Sequence, residues 1–448
     1  MHHTSHKIIT FTLLIAMQWA CSTDADEPTS PEEQQEDMAS MADLTPTADM
    51  NMEVEEDMQP DLGGSEEDAD MGGDMAAELE FIELAEKPWD VRERGPYNVG
   101  YGTGTVTFNV KPSDEPRTLD VVFWYPTLQK TGKDARYMRG LVGIGSAFDG
   151  AIIADSEETF PMMVFSHGNG SIAEQSFTYT EHFASHGWII VAPYHTLNSF
   201  FDNPSSINYL SSVDRPQDIS AVLDWTEDLP EEHILHGHID YDKILMSGHS
   251  FGAFTTMAVS GAQFDVEAIE TYCETGEINQ GLCELFGEEN KELFRAGFTE
   301  PRLKAAIPHT PGIGLVFEDG VNKIQIPLLM MTAGRDKALP AETNGDYMWN
   351  RMTEGPHARF DLPNGGHFTY SNMCNLLGTF EQASEDGCDE TFIPADIALP
   401  MINHYSLAWA EYHILGDMRH EALITGEDRP YDSETLIYET IDNRRVTP

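Results

Sequence analysis

Five short apolar runs, bounded by Gly, Pro, His or Ser, limit the folds open to this 448-residue chain. In chain order they read PMMVFSHG, GWIIVAPYH, KILMSGH, RLKAAIPH and IQIPLLMMTAG. Such uniformly apolar runs are typical of strands covered on both faces, as in a parallel sheet. Segments of helical length, among them IAEQSFTYTEHFASH and RPQDISAVLDWTEDL, separate the runs. The alternation predicts an α/β protein with a doubly wound, mostly parallel sheet.

Two strand-like segments, TVTFNV and LDVVFWYP, come before the first of these runs. The first alternates apolar and polar residues, and the second is apolar almost throughout. We therefore expect antiparallel strands at the N-terminal end of the sheet. The globular domain is predicted over residues 87–448.

The N-terminus has the features of a secretory signal peptide over residues 1–21. MHHTSHK is mildly basic, IITFTLLIAM is apolar, and QWAC follows. The apolar core is shorter than the roughly 20 residues that span a membrane. Ala20-Cys21 resembles the end of a bacterial lipobox, although Gln18 departs from that motif. We expect lipidation at Cys21 and anchoring to the outer membrane or cell surface; the alternative is an ordinary signal peptide and a secreted or periplasmic protein.

Residues 22–86 have little with which to fold. They are acidic, punctuated by Pro and Gly, and contain no Lys or Arg. Such a segment buries too little apolar surface to offset the entropy of ordering, so we expect a disordered tether. The whole chain has 77 Asp+Glu against 25 Lys+Arg, a formal charge of −52. Because phosphate backbones need basic residues to neutralise them, nucleic acid is excluded as an expected partner.

The chain has five cysteines. If Cys21 carries lipid, four remain, and they allow three pairings. The sequence-local choice joins Cys273 to Cys283 and Cys374 to Cys388, and disulfides suit an exported protein. A zinc site is the alternative, but no Cys-x-x-Cys pair supports it. We expect disulfides and no metal.

Gly248-His249-Ser250-Phe251-Gly252 has the pattern G-x-S-x-G, directly after one predicted strand and before a predicted helix. In a nucleophile elbow, a serine occupies a strained position between strand and helix, and the glycines let these elements approach closely. Ser250 is therefore the candidate nucleophile.

A serine hydroxyl needs a base to take its proton, and the base needs a carboxylate to orient it. With this elbow the expected chain order is Ser, then Asp or Glu, then His. Asp336 follows the last apolar run, and His367 lies in a later glycine-bearing loop. Pairing with Arg335 or helix capping is the competing role for Asp336. His309 competes with His367 but precedes Asp336, and His249, beside the nucleophile, is expected to be a packing residue.

A tetrahedral intermediate also needs backbone donors for its oxyanion. We expect one from the amide of Phe251, directly after the nucleophile. The other is expected from Asn169, in the loop Ser166-His167-Gly168-Asn169-Gly170 that follows PMMVF. An ordinary strand-to-helix turn is the alternative for this loop.

The motifs VFSHGNG, FASHGWIIVAP, DRPQDISAVLDW, GHSFGAF, GRDKALP and GGHF occur in this order. Together they resemble the platelet-activating-factor acetylhydrolase and predicted dienelactone hydrolase-like branch of the α/β-hydrolases, from about Gly95 to His413. The resemblance implies an α/β-hydrolase fold and hydrolysis of carboxylic esters without a cofactor. It implies Ser250, Asp336 and His367 as the triad, with Asn169 and Phe251 as oxyanion donors.

Two departures from this branch affect the expected substrate. True dienelactone hydrolases use a cysteine nucleophile, so Ser250 does not imply their activity. Residues 263–300 look like a cap-like insertion over the pocket, a region that commonly sets acyl-chain preference.

The sequence therefore predicts an exported serine hydrolase of short-chain acyl esters, including short-acyl or oxidised phospholipids. A cutinase-like polyester hydrolase and a peptidase on the same fold are the alternatives. A surface lipoprotein that binds without catalysis is the alternative from another class. The expected partner is a small-molecule or lipid ester, with membrane contact only through the N-terminal lipid.

Overall fold

The structure is a computed structural model that describes residues 79–156, 158–202, 208–377 and 383–446. The predicted signal peptide, Cys21 and the predicted tether up to residue 78 lie outside the described residues. Among the helices of the described part, none combines the length and apolar character needed to cross a membrane.

A single ten-stranded sheet, in the order β10-β9-β8-β7-β6-β4-β5-β2-β1-β3, forms the centre of the fold. Its strands are β1 (Asn98–Val110), β2 (Glu115–Thr127), β3 (Ala147–Asp149), β4 (Phe160–Ser166), β5 (Ile189–Tyr194), β6 (Ile239–His249), β7 (Leu303–His309), β8 (Leu328–Ala333), β9 (His357–Leu362) and β10 (Ile437–Thr440).

The sheet is parallel at its centre and mixed at its edges. Strands β5, β4, β6, β7, β8 and β9 pair in parallel, and each predicted apolar run supplies one strand of this set. β2 pairs antiparallel with both β1 and β5, while the short β3 runs parallel to β1. The predicted doubly wound α/β sheet with antiparallel N-terminal strands is confirmed.

Helices lie between the strands. They are α1 (Tyr137–Gly140), α2 (Phe177–Ser185), α3 (Ser211–Glu227), α4 (Phe251–Val259), α5 (Val266–Thr275), α6 (Gln280–Glu284), α7 (Glu288–Ala296), α8 (Gly345–Arg351), α9 (Met373–Leu377), α10 (Ala395–Ala410), α11 (Glu421–Ile424) and α12 (Ile441–Val446). Short 3-10 turns occupy Gly314–Val316, Glu318–Lys323, Ala341–Thr343, His367–Tyr370 and Met418–His420, and π-type turns occupy Ser384–Cys388 and Glu411–Leu415.

Strand β4 shows why the runs are apolar throughout. Met163 and Phe165 point into one core, which they share with α2 and α10. Met162 and Val164 point into a second core, which they share with α3. Because successive strand residues face opposite sides, a sheet with helices on both faces requires apolar residues at every position.

Part of the C-terminal architecture was not predicted. β10 pairs antiparallel with β9 at the sheet edge, and α10 packs on the core beneath it. β10 is only four residues long, and α10 contains Pro400, so neither has a clear sequence signal. Similarly, α3 begins at Ser211, before the predicted segment, and has Pro216 within it.

Residues 263–300 contain α5, α6 and α7, and Cys273 is bonded to Cys283 there. Phe264 packs on Phe254 of α4, with ring centroids 6.0 Å apart, and on Phe294 of α7 at 4.7 Å. The segment is thus anchored on the helix that follows Ser250; its role as a cap stays a prediction. Cys374 is bonded to Cys388, so the sequence-local disulfide pairing is confirmed.

Candidate active site

Ser250 lies at the turn between β6 and α4, with φ 58° and ψ −119°. A positive φ is uncommon for a residue with a side chain, and such residues cluster at functional sites. The Ser250 amide donates a hydrogen bond to the carbonyl of His309, at 2.9 Å, which ties the turn to β7. The local geometry is that of the predicted nucleophile elbow.

The glycines of G-x-S-x-G permit this turn because backbone crosses backbone there. A Cβ placed on Gly252 would lie 1.9 Å from the carbonyl oxygen of Ser166 in β4. One on Gly248 would lie 2.5 Å from the carbonyl oxygen of Gly252. No side chain fits at either position without moving α4 away from the sheet.

We therefore expect Gly252→Ala to lower the free energy of unfolding by about 3 kcal/mol, because backbone must shift to admit the methyl group. Urea unfolding followed by circular dichroism measures the loss. Gly287→Ala is the matched control: a Cβ on Gly287 meets nothing within 4 Å. Equal unfolding midpoints for Gly252→Ala and wild type would contradict the packing argument.

The three predicted triad residues form one hydrogen-bonded relay. His367 Nε2 lies 2.9 Å from Ser250 Oγ, and His367 Nδ1 lies 2.8 Å from Asp336 Oδ2. All three residues are buried. They come from loops after β6, β8 and β9, at the carboxyl ends of parallel strands, where open α/β sheets bind ligands.

The surroundings of Asp336 decide between its candidate roles. Its Oδ1 accepts a hydrogen bond from the amide of Leu339, at 2.6 Å, while Oδ2 faces His367. Arg335 instead donates to Thr391 and stacks over Phe392, with its guanidinium 4.4 Å from the ring centroid. Asp336 is thus fixed by a turn amide and directed at the imidazole.

The pKa of His367 reflects two opposing influences. Burial alone would lower it, but Asp336, by its charge and its hydrogen bond, and Asp386 outweigh burial and raise it above its ordinary value. A carboxylate beside a buried imidazole stabilises the protonated form. The site is therefore built to hold an imidazolium after a proton has been transferred.

The two competing histidines lie close to the relay, and His249 contacts its backbone. His249 Nε2 is 2.8 Å from the carbonyl oxygen of His367, and burial lowers the pKa of His249 well below its ordinary value. Neutral His249 can donate this hydrogen bond and so orient the His367 backbone. His309 is fully buried, and burial lowers its pKa to about 3.

The loop after β4, with Asn169, lies against the nucleophile. A Cβ on Gly168 would lie 3.5 Å from the Cβ of Ser250. The Gly168 amide donates to Gln175 and the Gly170 amide donates to Asn198. Within the described residues the Asn169 amide has no such acceptor, which leaves it available to a ligand.

The second expected donor, the Phe251 amide, opens α4 and so has no intrahelical acceptor. Arg215, fully buried in α3, lies behind both donors. Its guanidinium donates to the carbonyls of His167 and Gly168 and stacks over the Phe251 ring at 4.9 Å. Burial lowers the pKa of Arg215 to about 9, which leaves it charged at neutral pH. The sequence motif contained Arg215, but its role depends on contacts between separate elements.

A second Ser–His–Asp arrangement lies at the start of the loop after β4, and the sequence analysis did not predict it. Ser166 Oγ is 2.8 Å from His195 Nε2, and His195 Nδ1 is 2.8 Å from Asp218, which is paired with Arg117 at 2.7 Å. The side chains of His195 and Asp218 are 0% exposed, and Ser166 is fully buried. Because a substrate cannot reach them, these residues support the loop from below.

Within the described residues, one group has the composition of a metal site. Ligand atoms of Glu411, Asp417 and His420 lie within 4.8 Å of one another. However, His420 Nε2 lies 2.8 Å from Glu411, and Arg419 donates to Asp417 at 2.9 Å. These hydrogen bonds account for the cluster without an ion.

Comparisons with known proteins agree with this fold. The chlorophyllase family model matches residues 151–271, a span that includes Ser250 but ends before Asp336 and His367. No curated protein matches the chain. Among solved structures, a ferulic acid esterase from Streptomyces cinnamoneus matches with a TM-score of 0.55 and 21% identity, over 76% of this chain and 96% of that chain.

The chain therefore has the α/β-hydrolase fold that the sequence predicted. Both matches agree with the enzyme class expected from the motifs, a carboxylic ester hydrolase.

Proposed function

We propose that the protein is an exported serine hydrolase that cleaves carboxylic esters through an acyl-enzyme on Ser250. The observation that carries the proposal is the relay in which His367 joins Ser250 at 2.9 Å and Asp336 at 2.8 Å. Relays of this kind activate a serine that is otherwise a weak nucleophile.

In the proposed acylation step, Ser250 Oγ attacks the ester carbonyl carbon while His367 Nε2 takes the hydroxyl proton. Asp336 holds the tautomer with the proton on Nδ1 and stabilises the imidazolium. The amides of Asn169 and Phe251 bind the oxyanion. Collapse of the intermediate breaks the ester bond, and His367 donates its proton to the leaving alcohol.

Deacylation repeats these steps with water as the nucleophile. His367 takes a proton from a water molecule while the oxygen of that water attacks the acyl carbonyl carbon. The second intermediate collapses, the carboxylic acid leaves, and the proton returns to Ser250. No further group is needed to balance the reaction.

We propose short-chain acyl esters as substrates, including short-acyl or oxidised phospholipids, from the likeness to the platelet-activating-factor acetylhydrolase-like branch. One of the similar solved structures is a ferulic acid esterase, so a ferulate ester is the second candidate. Export and the lipid anchor at Cys21 belong to the same proposal. They are supported by the sequence of residues 1–21 and by two disulfides, which persist in oxidising compartments.

A substrate panel tests the proposed reaction. The purified protein is given p-nitrophenyl acetate, butyrate and longer esters, ethyl ferulate and a peptide anilide, and a fluorophosphonate is used to label the nucleophile. We expect ester turnover that is fastest for short acyl chains, and a label on the peptide that contains Ser250. Cleavage of the anilide alone would replace the reaction class with that of a peptidase. No turnover and no label would leave the non-catalytic binding protein as the better account.

A further inference from the structure

A buried carboxylate outside the relay contacts both loops that carry its acid and its base. Asp386 Oδ1 accepts a hydrogen bond from the amide of His367 at 2.9 Å. Asp386 Oδ2 accepts one from the amide of Ala338 at 2.8 Å, and both oxygens lie 3.1 Å from the amide of Lys337. One side chain therefore connects the backbone directly after Asp336 to the backbone of His367 itself.

This connection adds to a backbone contact between the two loops, the hydrogen bond from the Arg335 amide to the Gly365 carbonyl at 2.9 Å. The Asp336 loop follows β8 and the His367 loop follows β9, beyond the last residues that the two strands pair. Hydrogen bonds from amides to a carboxylate are stronger than those to a neutral acceptor. Beyond that contact, Asp386 fixes the separation of the two loops next to the hydrogen bond between Asp336 and His367.

The segment that carries Asp386 is itself closely held. A Cβ on Gly366 would lie 2.6 Å from the carbonyl carbon of Asp386, so the two backbones are in direct contact. The Cys374–Cys388 disulfide closes the loop two residues after Asp386. Asp386 is 5% exposed, which shields its hydrogen bonds from water.

We propose that Asp386 is a positioning residue that aligns His367 with Asp336 and Ser250, and that the Cys374–Cys388 disulfide holds Asp386 in place. The inference rests on the proposed function, because alignment matters only for a relay that transfers a proton. It assigns a role to the second disulfide that the first, Cys273–Cys283, does not share.

Because Asp386 is charged, its removal should change the pKa of His367, an effect that a purely structural role would not have. The titratable groups packed against His367 are Asp336, Asp386 and His249, with His309 behind His249. His249 is held neutral by burial, so the two carboxylates are the charges that favour the imidazolium. Removing one of them lowers the pKa of His367.

The first test compares Asp386→Asn with Asp432→Asn. Asp432 also accepts backbone hydrogen bonds, from Glu434 at 3.1 Å and Thr435 at 3.0 Å, but in the turn before β10. We expect Asp386→Asn to lower kcat about 30-fold, since small misplacements of catalytic groups cost up to about 100-fold, with KM changed less than about threefold. The pKa of His367, followed by NMR titration of its ring nitrogens, should fall as well. Asp432→Asn should change neither kcat nor this pKa.

The second test uses the two disulfides as a matched pair and does not depend on the folding of Asp386→Asn. We expect Cys374→Ser/Cys388→Ser to lower kcat about tenfold at a temperature where it stays folded, because Asp386 is then less firmly placed. The pKa of His367 should also fall in this variant but stay at its wild-type value in Cys273→Ser/Cys283→Ser, because the Cys273–Cys283 disulfide does not close the segment that carries Asp386.

The outcomes separate this inference from the proposed function. If wild type hydrolyses esters but Asp386→Asn leaves kcat and the His367 pKa unchanged, the positioning role is overturned and the serine hydrolase stands. If wild type cleaves no ester, the proposed function fails, and an unchanged His367 pKa in Asp386→Asn overturns the hydrogen-bonded alignment separately. Equal His367 pKa values in the two disulfide variants would remove the role of Cys374–Cys388.

Discussion

Replacing Ser250 with alanine is expected to lower kcat for p-nitrophenyl butyrate by at least about 10⁴-fold, because the hydroxyl that lies 2.9 Å from His367 Nε2 is removed. The measurement is the initial rate at saturating ester, with active protein quantified by fluorophosphonate titration of wild type. Alanine loses only the Oγ atom, so the unfolding midpoint should change little. The residual rate would then come from the remaining oxyanion donors.

Ser166→Ala is the decisive control, because Ser166 also belongs to a Ser–His–Asp arrangement. Its Oγ contacts His195 at 2.8 Å but is fully buried. We expect this variant to lose less than about tenfold in kcat, through small shifts of the loop above it. Full activity in Ser250→Ala together with an inactive Ser166→Ala would show that Ser166, and not Ser250, is the nucleophile.

Asp336→Asn is expected to lower kcat by about 10³- to 10⁴-fold through a change of tautomer in His367. The amide oxygen can replace Oδ1 as acceptor for Leu339, which places the amide nitrogen toward His367 Nδ1. That nitrogen donates, so Nδ1 must accept and the ring proton moves to Nε2. An Nε2 that carries a proton cannot take one from Ser250.

The pH profile of the same variant supplies the check. His367 must be neutral to act as a base, and its pKa in wild type is raised by Asp336 and Asp386. Wild-type kcat/KM should therefore rise with pH through a midpoint above about 6.5. In Asp336→Asn the residual activity should rise through a lower midpoint. An unchanged midpoint would show that the charge of Asp336 does not raise the pKa of His367.

Much of the site could be predicted from the sequence because each triad residue lies in a recognisable local pattern or follows a known order along the chain. Ser250 stands in a five-residue pattern between a strand-like and a helix-like segment, and the order Ser, Asp, His then selects Asp336 and His367. The apolar runs that locate these residues are apolar for a simple reason: both faces of the sheet are covered. Each of these signals is local, or depends only on order along the chain.

Asp386 carries no such signal. It lies in the acidic stretch ASEDGCDE of a chain with 77 acidic residues, and nothing local separates it from its neighbours. Its role exists only because the loops after β8 and β9 meet at its carboxylate. Arg215 and Asp218 are similar: their motif was visible, but the carbonyls and the imidazole that they hold are brought together by folding.

The relay joins residues that are far apart in the chain, since His367 is 117 positions from Ser250 and 31 from Asp336. Each stands at the end of a different strand of one sheet. The hydrolysis rate of a chromogenic ester would consequently report on structural integrity, because separation of any of these strands abolishes hydrolysis. Stability screens, storage trials and denaturant titrations of this protein could be scored in a plate reader, without spectroscopy of the polypeptide itself.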